Sequence, residues 1–147
     1  EMVMHWNKVY KLKTISLRFF NVYGTKSRTD GTYGAMFGVF LAQKVNNKPI
    51  TIVGNGKQSR DFTYVTDVTR AFLIAAKSKI KHEIFNVGNG KPTSVNYVAK
   101  KLGGKKVYIP KRPGEPDKLQ ASIKKIKKLG FRQKFKLHQG LEKTLGI

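Results

Sequence analysis

The stretch with most chemical potential opens at Gly54-Asn55-Gly56 and continues Arg60-Asp61-Phe62-Thr63-Tyr64-Val65-Thr66-Asp67. Two glycines and an asparagine tolerate positive φ, so the opening reads as a turn. Arg60 is expected on that turn, just ahead of a short strand and a helix. A planar, permanently charged guanidinium placed there can clamp a phosphate.

Other constellations fall short of chemistry. Tyr97 and Lys101 stand four apart, which on a helix puts both on one face and lets a lysine lower a tyrosine pKa for general-base work. No Gly-rich cofactor loop accompanies them, and Tyr97 sits beside the apolar stripe of its helix, so the pair reads as non-catalytic. Gly56-Lys57 and Gly90-Lys91 lack both the earlier glycine and the following Ser or Thr of a phosphate-binding loop. No Gly-x-Gly-x-x-Gly run follows a strand, so a dinucleotide-binding half is not expected within these residues. The chain has no cysteine, and His5, His82 and His138 lie far apart, so no metal site is expected.

The 147 residues suffice for one domain with a real core, and 39% hydrophobic content excludes a disordered basic tail. No apolar run approaches the roughly 18 residues that span a membrane, and the first residues lack the pattern of a signal peptide. No membrane partner is expected. The formal net charge is +22, from 30 Lys and Arg against 8 Asp and Glu. Lysines outnumber arginines 24 to 6 and are spread from Lys8 to Lys143, with the densest group at Lys118, Lys124, Lys125, Lys127 and Lys128. No helix-turn-helix, zinc-finger or aromatic single-strand motif accompanies them, so nucleic acid is not the expected partner. A free-standing basic binding module and a ligand-free structural domain are the readings of another class.

The elements that must position Arg60 follow from periodicity. Residues 1–12 read as the tail of an amphipathic helix with Val3, Trp6, Val9 and Tyr10 on one side. It has no N-cap signal, which leads to the expectation that the chain begins mid-domain. A strand is expected over 14–20, a loop over 21–32, a helix over 34–47 and a strand over 49–53. Thr66 or Asp67 should open a helix running to Ala76, with Val68, Ala71, Phe72 and Ala75 inward. A strand over 83–87 ends at Gly88-Asn89-Gly90. Thr93 or Ser94 caps a helix carrying Val95, Val98 and Leu102. A strand over 107–109, a loop over 111–117, a helix capped by Ser122 and stopped by Gly130, and a last helix over 137–145 complete the series. Alternating strands and helices make the class α/β.

Five segments together resemble one family. Ser16-Leu17-Arg18-Phe19-Phe20-Asn21-Val22-Tyr23-Gly24 is similar to the strand-to-loop motif of extended short-chain dehydrogenase/reductase enzymes, the nucleotide-sugar epimerases and dehydratases typified by UDP-glucose 4-epimerase. Lys48 to Gly56, Arg60 to Val68, Phe85 to Gly90 and Arg112-Pro113-Gly114-Glu115 resemble its next signatures in order. The resemblance implies the C-terminal part of that fold: the last strands of the Rossmann domain (1–24 and parts of 61–90) plus a small substrate-binding α/β domain. It implies that the Gly-rich NAD loop, the catalytic Ser or Thr and the Tyr-x-x-x-Lys pair precede Glu1, so that no catalytic residue is expected here. NAD would be the cofactor, held mainly by the absent half, with Phe20 meeting its nicotinamide end.

The implied substrate is a nucleotide-diphosphate sugar. Asn21 would donate to the diphosphate, Ala35 and Met36 would meet it at a helix start, and Arg60 and Arg112 would grip it. Thr51, Ile52 and Val53 would read the base through their backbone edge, and Glu115 would accept from a ribose hydroxyl. Leu119 stands where the epimerase pattern often has tyrosine, and Ser122 replaces an aspartate cap. The 4-epimerase reaction is the first expectation, with dTDP-glucose 4,6-dehydratase or UDP-glucuronate decarboxylase relatives as alternatives. A cytoplasmic homo-oligomer is expected, with apolar surface left for the absent half to cover.

Overall fold

The computed structural model describes residues 2–27 and 36–146. In chain order the elements are α1 (Met2–Tyr10), β1 (Ile15–Phe19), β2 (Asn21–Tyr23), α2 (Met36–Val45), β3 (Ile50–Val53), β4 (Ser59–Arg60), β5 (Phe62–Tyr64) and α3 (Val65–Lys77). Then come β6 (Glu83–Val87), β7 (Thr93–Ser94), α4 (Val95–Leu102), β8 (Lys106–Ile109), α5 (Lys124–Lys127) and α6 (Leu137–Leu145). The mixed α/β class is as expected. No helix among the described residues is long and apolar enough to cross a membrane.

The strands pair two by two. β1 pairs with β6, β2 with β5 and β3 with β8, all parallel, while β4 and β7 are antiparallel. The segment 15–23 therefore changes partner midway. Phe20 donates its N–H to the Val87 carbonyl at 3.1 Å, and Asn21 donates to the Asp61 carbonyl at 3.0 Å. Asn21 begins a strand where the sequence suggested a loop, because parallel pairing with β5 satisfies a backbone that local polarity alone would leave to water. A change of strand partner opens a crevice at the carboxyl ends of parallel strands, a common place for ligands.

Two cores flank this seam. One holds Tyr23, Phe37, Phe40, Ile50, Ile52, Phe62, Tyr64, Val98 and Leu102 and lies between α2, α4 and α6. The other packs Ala71 of α3 against Phe85 and Val87 of β6, Ala121, Ile126 and Phe131. Ile50 and Ile52 point into the first core while Thr51 and Val53 are half-buried on the other face, as period-2 alternation dictates.

Two buried carboxylates join the segments. Asp61 is fully buried and accepts backbone N–H groups from Asn89 at 2.6 Å, Gly90 at 2.8 Å and Ala121 at 2.9 Å. Gly88 lets this happen, since a Cβ there would overlap the Ala121 Cβ and crowd both Asp61 oxygens. Asp67, also fully buried, accepts from Lys134 N–H at 3.0 Å and Phe135 N–H at 3.1 Å, with the Arg70 guanidinium at 3.2 Å. Beside it, Tyr23 is buried and its phenol is pushed well above its ordinary value, first by desolvation and then by Tyr64 and the Asp67 charge.

Several local expectations are corrected. α3 opens at Val65, with Tyr64 at the N-cap and no side-chain cap bond. Asp67 is not its cap because tertiary contacts claim the carboxylate. Phe72 is 53% exposed and meets Phe19 at 5.4 Å, so it lies on the outer face and not inward. Ser122 caps nothing: α5 starts only at Lys124, after Asp61 has anchored Ala121 in a non-helical approach. Ser94 does cap α4, accepting from Tyr97 N–H at 3.2 Å. In α1 the apolar side chains Val3, Trp6, Val9 and Tyr10 are exposed, and the buried residue is Asn7.

Candidate functional site

A cavity of about 280 Å³ opens beside the seam. Its apolar walls are Met36, Val39 and Phe40 from α2, Val95 from α4 and Ile109 from β8. Its polar lining is Asn21, Gln43, Thr51, Gln58, Arg60, Arg112 and Glu115. Charge sits with Arg60, Arg112 and Glu115, and neutral amides with Gln43, Gln58 and Asn21.

Arg60 occupies β4, not a turn: it pairs with Thr93, and this strand continues through Asp61 into β5. Its side chain is 9% exposed. Nη1 donates to the Ser59 and Pro116 carbonyls, both at 2.9 Å, and Nη2 meets Glu115 Oε1 at 2.7 Å. Glu115, and not the adjacent Asp61, is the acid paired with it. Asp61 turns to the opposite side, as strand alternation requires. A guanidinium has five N–H donors, so Arg60 keeps Nε–H and one Nη2–H for another acceptor.

The loop that carries Arg112 is tied down at several points. Ser59 N–H donates to the Asp117 carbonyl at 2.8 Å, and Leu119 N–H donates to the Ser59 carbonyl at 3.0 Å. Lys111 Nζ meets Asp117 Oδ1 at 2.6 Å, and that hydrogen bond holds the Asp117 carboxyl below its ordinary value. Arg112 itself is exposed and makes no ion pair among the described residues.

Seven of the ten residues implied by the family resemblance meet in this cavity: Asn21, Met36, Thr51, Val53, Arg60, Arg112 and Glu115. Ile52 does not line it, since its side chain is wholly in the core and only its backbone is left to act. Phe20 does not line it either; it is half-buried against the second core with its N–H committed to Val87. Ala35 lies outside the described residues. Tyr97, 41% exposed, has Lys101 Nζ above its ring at 5.9 Å and stands apart from the cavity.

The sequence reading passed over Gln43 and Gln58. Gln43 accepts from Thr51 N–H at 3.0 Å and donates to Thr51 Oγ1 at 2.9 Å. Gln58 donates to the Val53 carbonyl at 2.6 Å. The available signal was polarity: Gln43 interrupts the apolar run of α2, and Gln58 precedes β4 by a single residue.

Known proteins share this fold. The family described as NAD dependent epimerase/dehydratase matches residues 1–88. A UDP-glucuronate 4-epimerase of Thermodesulfobacterium geofontis is 33% identical over 148 residues, covering 95% of this chain and 44% of that protein. The crystal structure of the UDP-glucose 4-epimerase of Thermotoga maritima with UDP-glucose superposes with TM-score 0.89 at 34% identity, over 99% of this chain and 48% of that one. The UDP-glucuronic acid 4-epimerase of Bacillus cereus, in complex with UDP-glucuronic acid and NAD, gives TM-score 0.86 at 30% identity over 97% and 48%. The chain spans about half the length of the curated relatives it matches. With its parallel strands, its seam cavity and these matches, the chain belongs to the NAD dependent epimerase/dehydratase family.

Proposed function

We propose that the cavity takes a nucleotide-diphosphate sugar, and that this chain is the substrate-gripping part of an NAD-dependent sugar 4-epimerase. What carries the reading is the convergence of Arg60, Arg112, Asn21 and Glu115 on one cavity. A diphosphate prefers fixed, planar cations. Arg60 offers Nε–H and Nη2–H from a rigid seat, and Arg112 adds an exposed guanidinium. Asn21 supplies a neutral donor, and Glu115, bound to Arg60 through Oε1 alone, retains Oε2 for a ribose hydroxyl. Thr51, Val53 and Met36 line the same cavity, and a base would lie against them. At about 280 Å³ the cavity is near the lower bound of roughly 300 Å³ for small-molecule pockets, so it would hold part of such a ligand.

NAD fits these residues at one point only. With its N–H committed, Phe20 has its carbonyl to offer, an acceptor suited to a carboxamide N–H. When bound, NAD would take up and return the hydride of the sugar's C4. Residues 1–24 and parts of 61–90 would form the edge of the NAD-binding domain, and the exposed Met2, Trp6, Phe19, Phe72 and Leu73 would meet the rest of the parent or a second copy. A cytoplasmic homo-oligomer belongs to the same reading. By itself the chain should bind without turning over.

The test is calorimetry of the 147-residue chain with UDP-glucose, UDP-glucuronic acid and dTDP-glucose. Saturable binding to at least one, without epimerised or dehydrated product, is expected. Turnover by the chain, or no heat with any of them, refutes the reading. Binding with turnover only in a longer protein and a dehydrated product would favour the dehydratase alternative.

A further inference from the structure

A second cavity, of about 430 Å³, shares no lining residue with the first. Asn89 and Lys91 reach it from the turn after β6, Gln120 and Ser122 from the approach to α5, and Lys124 and Lys127 from α5 itself. These segments are locked together. Asp61 holds the N–H groups of Asn89, Gly90 and Ala121 at once. Gln120 donates to the Gly90 carbonyl at 2.8 Å, and Arg132 donates to the Lys127 carbonyl at 3.0 Å. At Gly90, φ is +77° and a Cβ would press on Ile123 Cδ1 at 3.0 Å, so the turn packs directly on the approach to α5.

Every charge in the lining is positive. Lys125, next along α5, pairs with Glu83 at 2.6 Å, and Lys111 pairs with Asp117. Lys91, Lys124 and Lys127 make no ion pair among the described residues. The Asn89 amide and the Ser122 hydroxyl make no hydrogen bond there either, and Ser122 is free because it caps nothing. Gln120 uses one of its two amide N–H groups and keeps the other. A concavity lined by one sign of charge focuses its field and concentrates counter-ions. Here that field is joined by unspent neutral donors on a floor that is already fixed.

We propose that this cavity is a second binding site, for a small oligophosphate. Three ammonium groups call for several negative charges in one ligand. Lysine is a point charge that takes phosphate oxygens in any orientation, without the planar fork of arginine. No aromatic side chain lines the cavity, so it offers no platform for stacking a base. The volume falls within the roughly 300–1,000 Å³ of small-molecule pockets. Recognition would therefore act on the linked phosphates themselves.

Inorganic triphosphate titrated into the 147-residue chain, with amide signals followed by NMR, tests the site, and melting temperatures control for folding. Saturable shifts at Asn89, Lys91, Ser122 and Lys124 are expected, with affinity falling as salt rises. Lys124→Ala combined with Lys127→Ala removes two exposed ammoniums and should weaken binding by about tenfold or more. Lys91→Ala, on the other segment, should weaken it by about threefold. Lys100→Ala combined with Lys106→Ala removes the same charge from exposed positions outside both cavities and should change it by less than about twofold. Arg112→Ala, in the first cavity, should leave it unchanged, so failure of the nucleotide-sugar reading would not touch this site.

Equal losses in the two lysine pairs would assign the shifts to the net charge of +22 and overturn the proposal. Shifts confined to the first cavity, or no saturable shift, would overturn it as well. A short single-stranded RNA that bound the same residues more tightly than triphosphate would assign the lysines to a nucleic-acid backbone, and the small-ligand site would fall.

Discussion

On one side of the strand that runs from Ser59 to Tyr64, the Asp61 carboxylate takes three backbone N–H groups from two separate segments and is sealed from solvent. On the other side, one residue earlier, Arg60 is buried but not sealed, and Glu115 and two carbonyls use three of its five N–H groups. Both are buried charges on one short strand. The first is closed to any ligand and works as a joint between β6, the Gly88–Gly90 turn and the approach to α5. The second combines a structural tie with spare donors facing a cavity. Access to the cavity separates the charge that builds the fold from the charge that can also bind.

The sharpest way to break this contrast is Asp61→Asn. The asparagine keeps one oxygen but turns an NH2 toward N–H groups that need an acceptor, and it loses the charge that shortens these bonds. Equilibrium unfolding in urea should show a loss of about 3 kcal/mol or more, the range for breaking a buried charged network. A loss below about 1 kcal/mol, the ordinary single-mutant level, would mean that the three N–H groups find other acceptors and that Asp61 is no joint.

Asp61 also marks where the sequence is legible and where it is not. Alternating polarity announces β3, β6 and α4, and Ser94 is readable as a cap because its contact lies three residues ahead. The ordered signatures around Phe20, Arg60 and Arg112 point to seven of the residues that line the cavity. Asp67 looked like a helix cap, since that is its local option, and nothing local marked Asp61 as a joint. Their backbone partners lie between 28 and 68 residues away in the chain, and no window of periodicity reaches so far. Phe72 was misplaced for a related reason: a helix stripe predicts an apolar face without saying whether these residues cover it. Gln43 and Gln58 escaped because a glutamine has no signature; its role exists only once β3 lies beside it.

The two arginines sharpen the binding side. Arg60→Leu should lower stability by about 1–3 kcal/mol, because Glu115 and two carbonyls lose their donor, and should weaken nucleotide-diphosphate binding as well. Arg112→Ala should leave unfolding within about 0.5 kcal/mol, as for exposed positions generally, yet weaken binding by about 1.5–3 kcal/mol, the value of a charge-assisted hydrogen bond. Calorimetry and denaturation on the same two variants test the split. Equal stability losses would show that Arg112 also fastens its loop, and undiminished binding in Arg112→Ala would remove it from the site.

The smallest effect concerns how the Arg112 loop is held from outside. Lys111 donates to Asp117 on the fully exposed surface, and that bond keeps the Asp117 carboxyl below its ordinary 3.8. A carboxyl whose folded value is depressed favours the folded loop at pH above the unfolded value, and that favour disappears as pH falls through the depressed one. Asp117 observed by NMR should therefore titrate below 3.8 and return toward it in Lys111→Ala. Raised salt should narrow the difference, since exposed pairs are screened. The buried side offers a control: Lys111→Ala should not disturb the amides of Asn89, Gly90 and Ala121, whose acceptor is Asp61. If those three amides shift with Lys111, the loop and the joint are coupled through Ser59, and the strand transmits between its two sides what its alternation would otherwise keep apart.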